Sequence, residues 1–344
     1  MLKDKLVRWF SRTCFDRGTN NVTETSVTLT TDIGFARNEN QDRVAVMRLT
    51  TKTAKPFVVV ALVDGMGGMF NGTECAIHAL SAFLDGLSRF REEIPKERLT
   101  LAANAANMAI YKLSSGRGGT TLSALLVTPD HDPLILNIGD SRIYSTVDED
   151  KKAKVERLTI DDSLEEAVGG HGKELLQFIG MGDGLIPHIK VVPEKTKRIL
   201  ITSDGIHFIN RELLREALVY APNLEKISEI LCTFAKFRGA PDNASLAVCD
   251  LQELIQSLSK SNESGVELWD PFSALLILWQ EEAPPASTPS PASSKDPIKK
   301  HVTRPKKSHA KNNSPKNTKK KTEAKAIPEL ILDINPEANK GEDK

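Results

Sequence analysis

The strongest constraint in this sequence is the segment FVVVALVDGMGG at 57–68, where an unbroken apolar run ends on Asp64 and passes at once into glycine. A short β-branched run stopped by Asp-Gly reads as a buried strand rather than as part of a helix. The glycines strip side-chain bulk from a place where the chain has to turn sharply. Comparable runs, bounded by Gly, Pro, Asp or Asn, predict strands at 26–31, 43–49, 121–127, 133–138, 141–146, 153–159, 198–203 and 244–250. Apolar spacings of three and four predict helices at 72–89, 98–113 and 224–237. The short, turn-rich TPDHDP at 128–133 makes its flanking strands an antiparallel hairpin. Strands in runs and helices in pairs predict an α+β fold, a layered α-β-β-α sandwich of two antiparallel sheets flanked by helices.

With 344 residues, 40% of them hydrophobic, the chain has enough material for one large domain plus extensions. The expected divisions are an N-terminal amphipathic segment at 1–21, a main domain at 22–252, a C-terminal helix and apolar extension at 253–282, and a tail at 283–344. In the first segment Leu2, Leu6, Trp9 and Phe10 share one helical face, ringed by Lys3, Lys5, Arg8 and Arg12, and a polar linker follows. That face suits a membrane surface or the protein's own body, and its small anchoring area favours the body. The apolar WDPFSALLILWQ at 269–280 has to pack against a partner that its own residues do not identify.

Charge is balanced overall but unevenly spread. Residues 295–325 carry about 12 basic against 2 acidic side chains, and residues 1–282 about 32 against 39. The Pro/Ser-rich and then Lys-rich stretch 283–325 has too little apolar surface to fold alone, so a disordered basic tail is expected. Its lysines suit an acidic partner or an anionic surface. Without interleaved aromatics they do not suit sequence-specific nucleic-acid recognition. The run Leu330–Leu332 reads as a docking motif or as part of a disordered end, the second being favoured. The longest apolar run is too short to cross a bilayer, and the N-terminus lacks the features of a secretory signal. Cys14, Cys75, Cys232 and Cys249 are scattered without CxxC spacing. A cytoplasmic protein with neither a zinc site nor a disulfide framework is therefore expected.

Several predicted strands touch acids. Asp64, Asp140 and Asp204 follow apolar runs, and Asp42 and Asp242 lie just before others. Alone, each is an ordinary turn residue. Together at the ends of rigid strands they would repel one another unless a cation neutralised them. Oxygen donors without His or Cys partners point to Mg²⁺ or Mn²⁺. Gly65 would let the backbone turn and bring its carbonyl close to such an ion, where a Cβ would crowd the approach.

In order along the chain, DIGFARNENQD (32–42), VDGMGG (63–68), GGTTLSALLV (118–127), NIGDSRIY (137–144), LTIDDS (158–163), ITSDGI (201–206) and DNASLAV (242–248) resemble the metal-dependent serine/threonine protein phosphatases of type 2C, the PPM family. The resemblance covers roughly 24–250 and leans to the bacterial branch, since Gln41 stands where Glu is frequent and Met66 where many eukaryotic members carry His. It implies hydrolysis of phosphoserine and phosphothreonine in phosphoproteins by a metal-activated water at a binuclear Mg²⁺/Mn²⁺ centre. By position, Asp64 would bridge the metals, the Gly65 carbonyl would bind one, and Asp204 and Asp242 would hold the other. Asp42 would act mainly through metal-bound water, Asp140 would support a third, weaker metal or orient water, and Arg37 would grip the substrate phosphate. The stretch from Ser163 to Gly180 is about a dozen residues shorter than the flap of many relatives, and Gln177 stands near a usual Arg. Those departures open a second reading, a catalytically weak regulatory binding module whose basic tail docks an acidic partner.

Overall fold

The computed structural model describes residues 1–51, 55–66, 71–149, 152–169, 174–259 and 264–279. The tail expected to be disordered, 283–344, lies outside the described residues. The apolar run 57–63 belongs to β4 (Phe57–Asp64), and the reason it has no polar position is that both of its faces are covered. Phe57, Val59, Ala61 and Val63 face one apolar cluster shared with helices, while Val58, Val60 and Leu62 face a second cluster between two sheets.

Among the described residues one sheet has the order β1 (Arg17–Val22), β2 (Val27–Asp32), β11 (Ala244–Asp250), β10 (Thr196–Thr202), β7 (Arg142–Glu149), β8 (Lys152–Arg157). The other runs β13 (Ala274–Leu278), β12 (Gly265–Trp269), β3 (Asp42–Thr50), β4, β5 (Leu122–Thr128), β6 (His131–Ile138), β9 (His188–Val191). Every pairing is antiparallel. Helices α1 (Leu2–Phe10), α2 (Gly72–Arg89) and α3 (Pro95–Ser114) share the outer cluster of the second sheet. Helix α4 (Leu164–Val168) lies in the connection after β8, and α5 (Asp204–His207), α6 (Arg211–Tyr220) and α7 (Leu224–Phe237) cover the first sheet. The short α8 (Leu251–Ser257) feeds Leu251 and Leu254 into the core between the sheets. The layered α-β-β-α sandwich is therefore as expected, including the β5–β6 hairpin, in which Leu122 pairs with Ile138. No described helix is long and apolar enough to cross a membrane.

Strand β9 and helix α6 are not among the expected elements, and the two ends take the following form. Residues 17–21, expected as polar linker, form β1 together with Val22; RGTNNV has no apolar alternation and is recruited by backbone pairing with β2 from Arg17↔Asp32 to Val22↔Val27. The amphipathic face of α1 packs on the protein's own core, with Leu6 and Phe10 buried. The unplaced apolar stretch near the C-terminus is the β12–β13 hairpin, and β12 pairs with β3.

Arg48 locks that hairpin in place. Its side chain is buried, donates to both oxygens of Glu267 at 2.6 and 2.8 Å and to Ser257 O at 3.0 Å, and lies over the Trp269 ring. Arg48→Ala removes these bonds from a buried position and opens a void, so about 3 kcal/mol of stability should be lost. Urea unfolding monitored by Trp fluorescence checks this, and the midpoint should fall with an unchanged slope.

Candidate functional site

The strand registers bring the acids to one end of the sandwich. Asp42 opens β3 and Asp64 closes β4, and the two are direct partners across that pair. Leu122 at the start of β5 pairs with Ile138 at the end of β6, and Asp140 follows two residues later. In the other sheet Thr202 at the end of β10 pairs with both Arg142 and Leu246, which sets Asp204 and Asp242 at the same end. Rigid strands, not loops, therefore fix where most of the carboxylates start.

Their electrostatics confirm that they share a neighbourhood. Burial first, then the charges of Asp42, Asp204, Asp140 and Asp242, push the Asp64 carboxyl well above the usual range. Asp42 is pushed up to about 6, mainly by burial and further by Asp242, while bonds from Ser245 and Ser203 pull the other way. Arg37 is held further toward its charged form, chiefly by its bond to Asp242 and also by Asp204 and Asp64. Asp42, Asp140, Asp204 and Asp242 thus all act on Asp64, and Asp242, Asp204 and Asp64 act on Arg37.

Side-chain orientation is more particular. Arg37 donates to Asp242 at 2.6 Å, and Ser203 donates to Asp42 Oδ2 at 2.8 Å. Among the described residues no three acidic, His or Cys side chains stand ready in a shared coordination geometry. The donor set nonetheless suits a hard divalent cation. It is all oxygen, the crowding of like charges raises the proton affinity of Asp64 and Asp42, and among the described residues Asp42 Oδ1 is buried without a hydrogen-bond partner. At Gly65 a Cβ would lie 2.3 Å from Gly72 O, so only glycine lets the chain pass from β4 into the N-terminus of α2. A cleft of about 430 Å³ opens beside Asp42, with Phe10, Phe15, Asn40, Arg43 and Phe272 in its wall.

Four supporting groups escaped the sequence. Thr120 and Thr121 clamp the last residue of β4, the first donating its hydroxyl to Asp64 O at 2.7 Å and the second accepting from Asp64 N at 3.0 Å. Ser203 secures Asp42. Asn243 accepts from Gln41 N at 2.8 Å and donates to Ile33 O at 2.8 Å and Glu39 O at 3.0 Å, which ties the loop carrying Arg37 to the start of β11. Each sits inside a motif already noted, but nothing in the motif reveals a partner far away in the chain. The cysteines stay out of the chemistry. Burial pushes Cys75 up to about 11 and Cys232 and Cys249 up to about 12, so those thiols are not thiolates at neutral pH.

Searches of family models and of curated proteins find no match to this chain. Solved structures do match. A PPM serine/threonine phosphatase from Mycobacterium smegmatis, crystallised with cacodylate, is 25% identical with a TM-score of 0.54, covering 66% of this chain and 98% of that one. A serine/threonine phosphatase from Staphylococcus aureus is 20% identical with a TM-score of 0.56, covering 70% and 99%. The catalytic domain of the serine/threonine phosphatase PstP, solved with two manganese ions, is 24% identical with a TM-score of 0.51, covering 68% and 98%. The chain has the fold of these bacterial PPM phosphatases.

Proposed function

We propose that this protein hydrolyses phosphoserine and phosphothreonine esters of other proteins at the carboxylate-lined end of its two sheets, with Mg²⁺ or Mn²⁺ as cofactor. The observation that carries the reading is the meeting of Asp42, Asp64, Asp140, Asp204 and Asp242 in one field beside Arg37, on a fold shared with serine/threonine phosphatases. Asp64, the Gly65 carbonyl, Asp204 and Asp242 would hold two ions, with Asp42 acting through water and Asp140 supporting a third, weaker ion. Such ions, when bound, offset the charge of a phosphomonoester and bring the pKa of water toward neutrality.

The chain's own groups supply the rest. Arg37 offers a planar guanidinium that matches two phosphate oxygens. Its pair with Asp242 joins an exposed guanidinium to a partly exposed carboxylate, and solvent-screened pairs contribute on the order of 1 kcal/mol or less, so exchanging one anion for another costs little. Ser203 holds one oxygen of Asp42, which leaves Oδ1 to accept a hydrogen from water. Met66 has no proton to give, so water or a neighbouring acid would protonate the leaving oxygen.

The test is direct. Purified full-length protein with a phosphothreonine peptide and Mn²⁺ should release phosphate, EDTA should stop the release, and excess Mn²⁺ should restore it. Turnover that ignores chelation would overturn the metal-dependent mechanism.

A further inference from the structure

Asp162 lies outside the acids discussed above, yet it holds the chain immediately before Asp140. Its side chain is nearly fully buried. Oδ2 accepts from Gly139 N at 3.0 Å, and the Asp162 backbone N–H donates to Gly139 O at 3.0 Å. Both polar groups of one peptide-chain residue are thus gripped by a single partner, which fixes the direction in which Asp140 leaves β6. The other oxygen, Oδ1, takes Gln177 Nε2 at 3.0 Å and His188 Nε2 at 2.8 Å. Gln177 in turn accepts from Ile186 N at 2.8 Å, and Leu176 N donates to Asp162 O at 2.7 Å. A continuous set of bonds therefore runs from the segment 176–188, where His188 is half-exposed on the edge strand β9, through one buried carboxylate to the Gly139 amide, and the Asp162 backbone N–H holds the Gly139 carbonyl that leads into Asp140.

We propose that Asp162 is a positioning residue for Asp140, and that Gln177 and His188 let the 176–188 segment set how well the site holds its weaker cation. The proposal rests on the phosphatase reading for what Asp140 does, and on geometry alone for the clamp. A carboxylate is needed because three separate donors converge on two oxygens, which an amide at 162 cannot accept together. Each bond to an ionised acceptor is of the stronger, charge-assisted kind. Loss of an outer partner typically costs about tenfold or more in metal affinity or activity.

Two measurements on the full chain test this. In the first, calorimetric titration with Mn²⁺ alone and phosphopeptide hydrolysis against Mn²⁺ concentration are compared for wild type, Asp162→Ala, His188→Leu and His188→Gln. Asp162→Ala should raise the Mn²⁺ needed for half-maximal rate about tenfold with a smaller change in kcat, and weaken the lowest-affinity calorimetric step equally. His188→Leu should move both the same way by less, and His188→Gln, which keeps a donor, should restore them. In an Asp140→Ala background neither 162 nor 188 variants should add anything, the signature of action through one residue. Additive effects, or an unchanged Mn²⁺ requirement in Asp162→Ala, would overturn the proposal. The second measurement needs no turnover, so it separates this idea from the enzymatic one. Amide hydrogen exchange at Gly139–Ser141 should quicken in His188→Leu and not in His188→Gln, and equal exchange in all three proteins sinks the clamp even if hydrolysis is found.

Discussion

Asp64→Asn is expected to slow phosphopeptide hydrolysis about a thousandfold and, in the metal-free protein at neutral pH, to raise the melting temperature. A thousandfold corresponds to about 4 kcal/mol of transition-state stabilisation, the scale on which one preorganised charged group acts at a reacting centre. The opposite sign for stability follows from the same site. Asp64 is partly buried among four like charges, so the folded protein without metal resists its ionisation. An amide of the same shape removes that repulsion. Asp42 and Asp64 both have raised values, so the folded protein retains protons that the unfolded chain, with carboxyls near 4, has already released. Stability of the metal-free wild type should therefore fall as pH rises from about 4 through about 6, the value reached by Asp42. Asp64→Asn should flatten this slope, and added Mn²⁺ should reverse it in wild type but much less in the variant. Calorimetric scans with and without Mn²⁺ at pH 5 and pH 8 read all of these signs. A variant that melts below wild type in the absence of metal would show that the carboxylates do not repel one another as placed.

The second large effect is expected at Gly205. An added Cβ would lie 1.9 Å from the backbone oxygen of Asn243 and 2.8 Å from its carbonyl carbon, contacts no side-chain adjustment relieves. Nor are the two chains free to part. Ser203 N donates to Ser245 O at 3.0 Å, and Ser245 N donates back to Ser203 Oγ at 2.9 Å. Gly205→Ala should therefore cost about 3 kcal/mol, the upper part of the range for forced overpacking. What survives folded should hydrolyse poorly, because the displaced backbone lies between Asp204 and Asp242 and carries the Ser203 hydroxyl that secures Asp42. Urea denaturation and activity of the soluble fraction are the two readouts. Wild-type values in both would mean that β10 and β11 separate more easily than their bonds imply.

How much of this was legible beforehand depended on whether the deciding interaction was local. The helix at 224–237 matches α7 in both ends because its apolar spacing and the Asn223 cap lie in one short stretch. The run at 57–63 announced a buried strand because burial on both sides leaves no polar position. By contrast β1 has polar composition and owes its strand to β2, and β12 owes its place to β3, which lies far away in sequence. Helix α6 was missed although Leu214, Ala217 and Leu218 carry the spacing that would have revealed it. At the site, the acids stood out because each adjoins an apolar strand. Ser203, Asn243 and Asp162 did not, since a hydroxyl, an amide or a second acid in a turn has an ordinary local explanation. The bond between Arg37 and Asp242 joins residues 205 positions apart, and only the folded molecule shows that the expected phosphate ligand rests on an expected metal ligand.

The position of β2 and β3 has a bearing on how the molecule is made. β2 is flanked by β1 and by β11, and β3 by β4 and by β12, so each sheet is completed by strands from opposite ends of the described chain. Such long-range pairings make folding slow and leave strand edges open until late. On a ribosome, Asp42 and Asp64 can pair early, whereas Asp242 joins them only after nearly all of the described chain has emerged. A nascent chain therefore cannot bring its acids together before β11 has emerged, and on the proposed reading hydrolytic competence would wait for that strand to pair with β2 and β10.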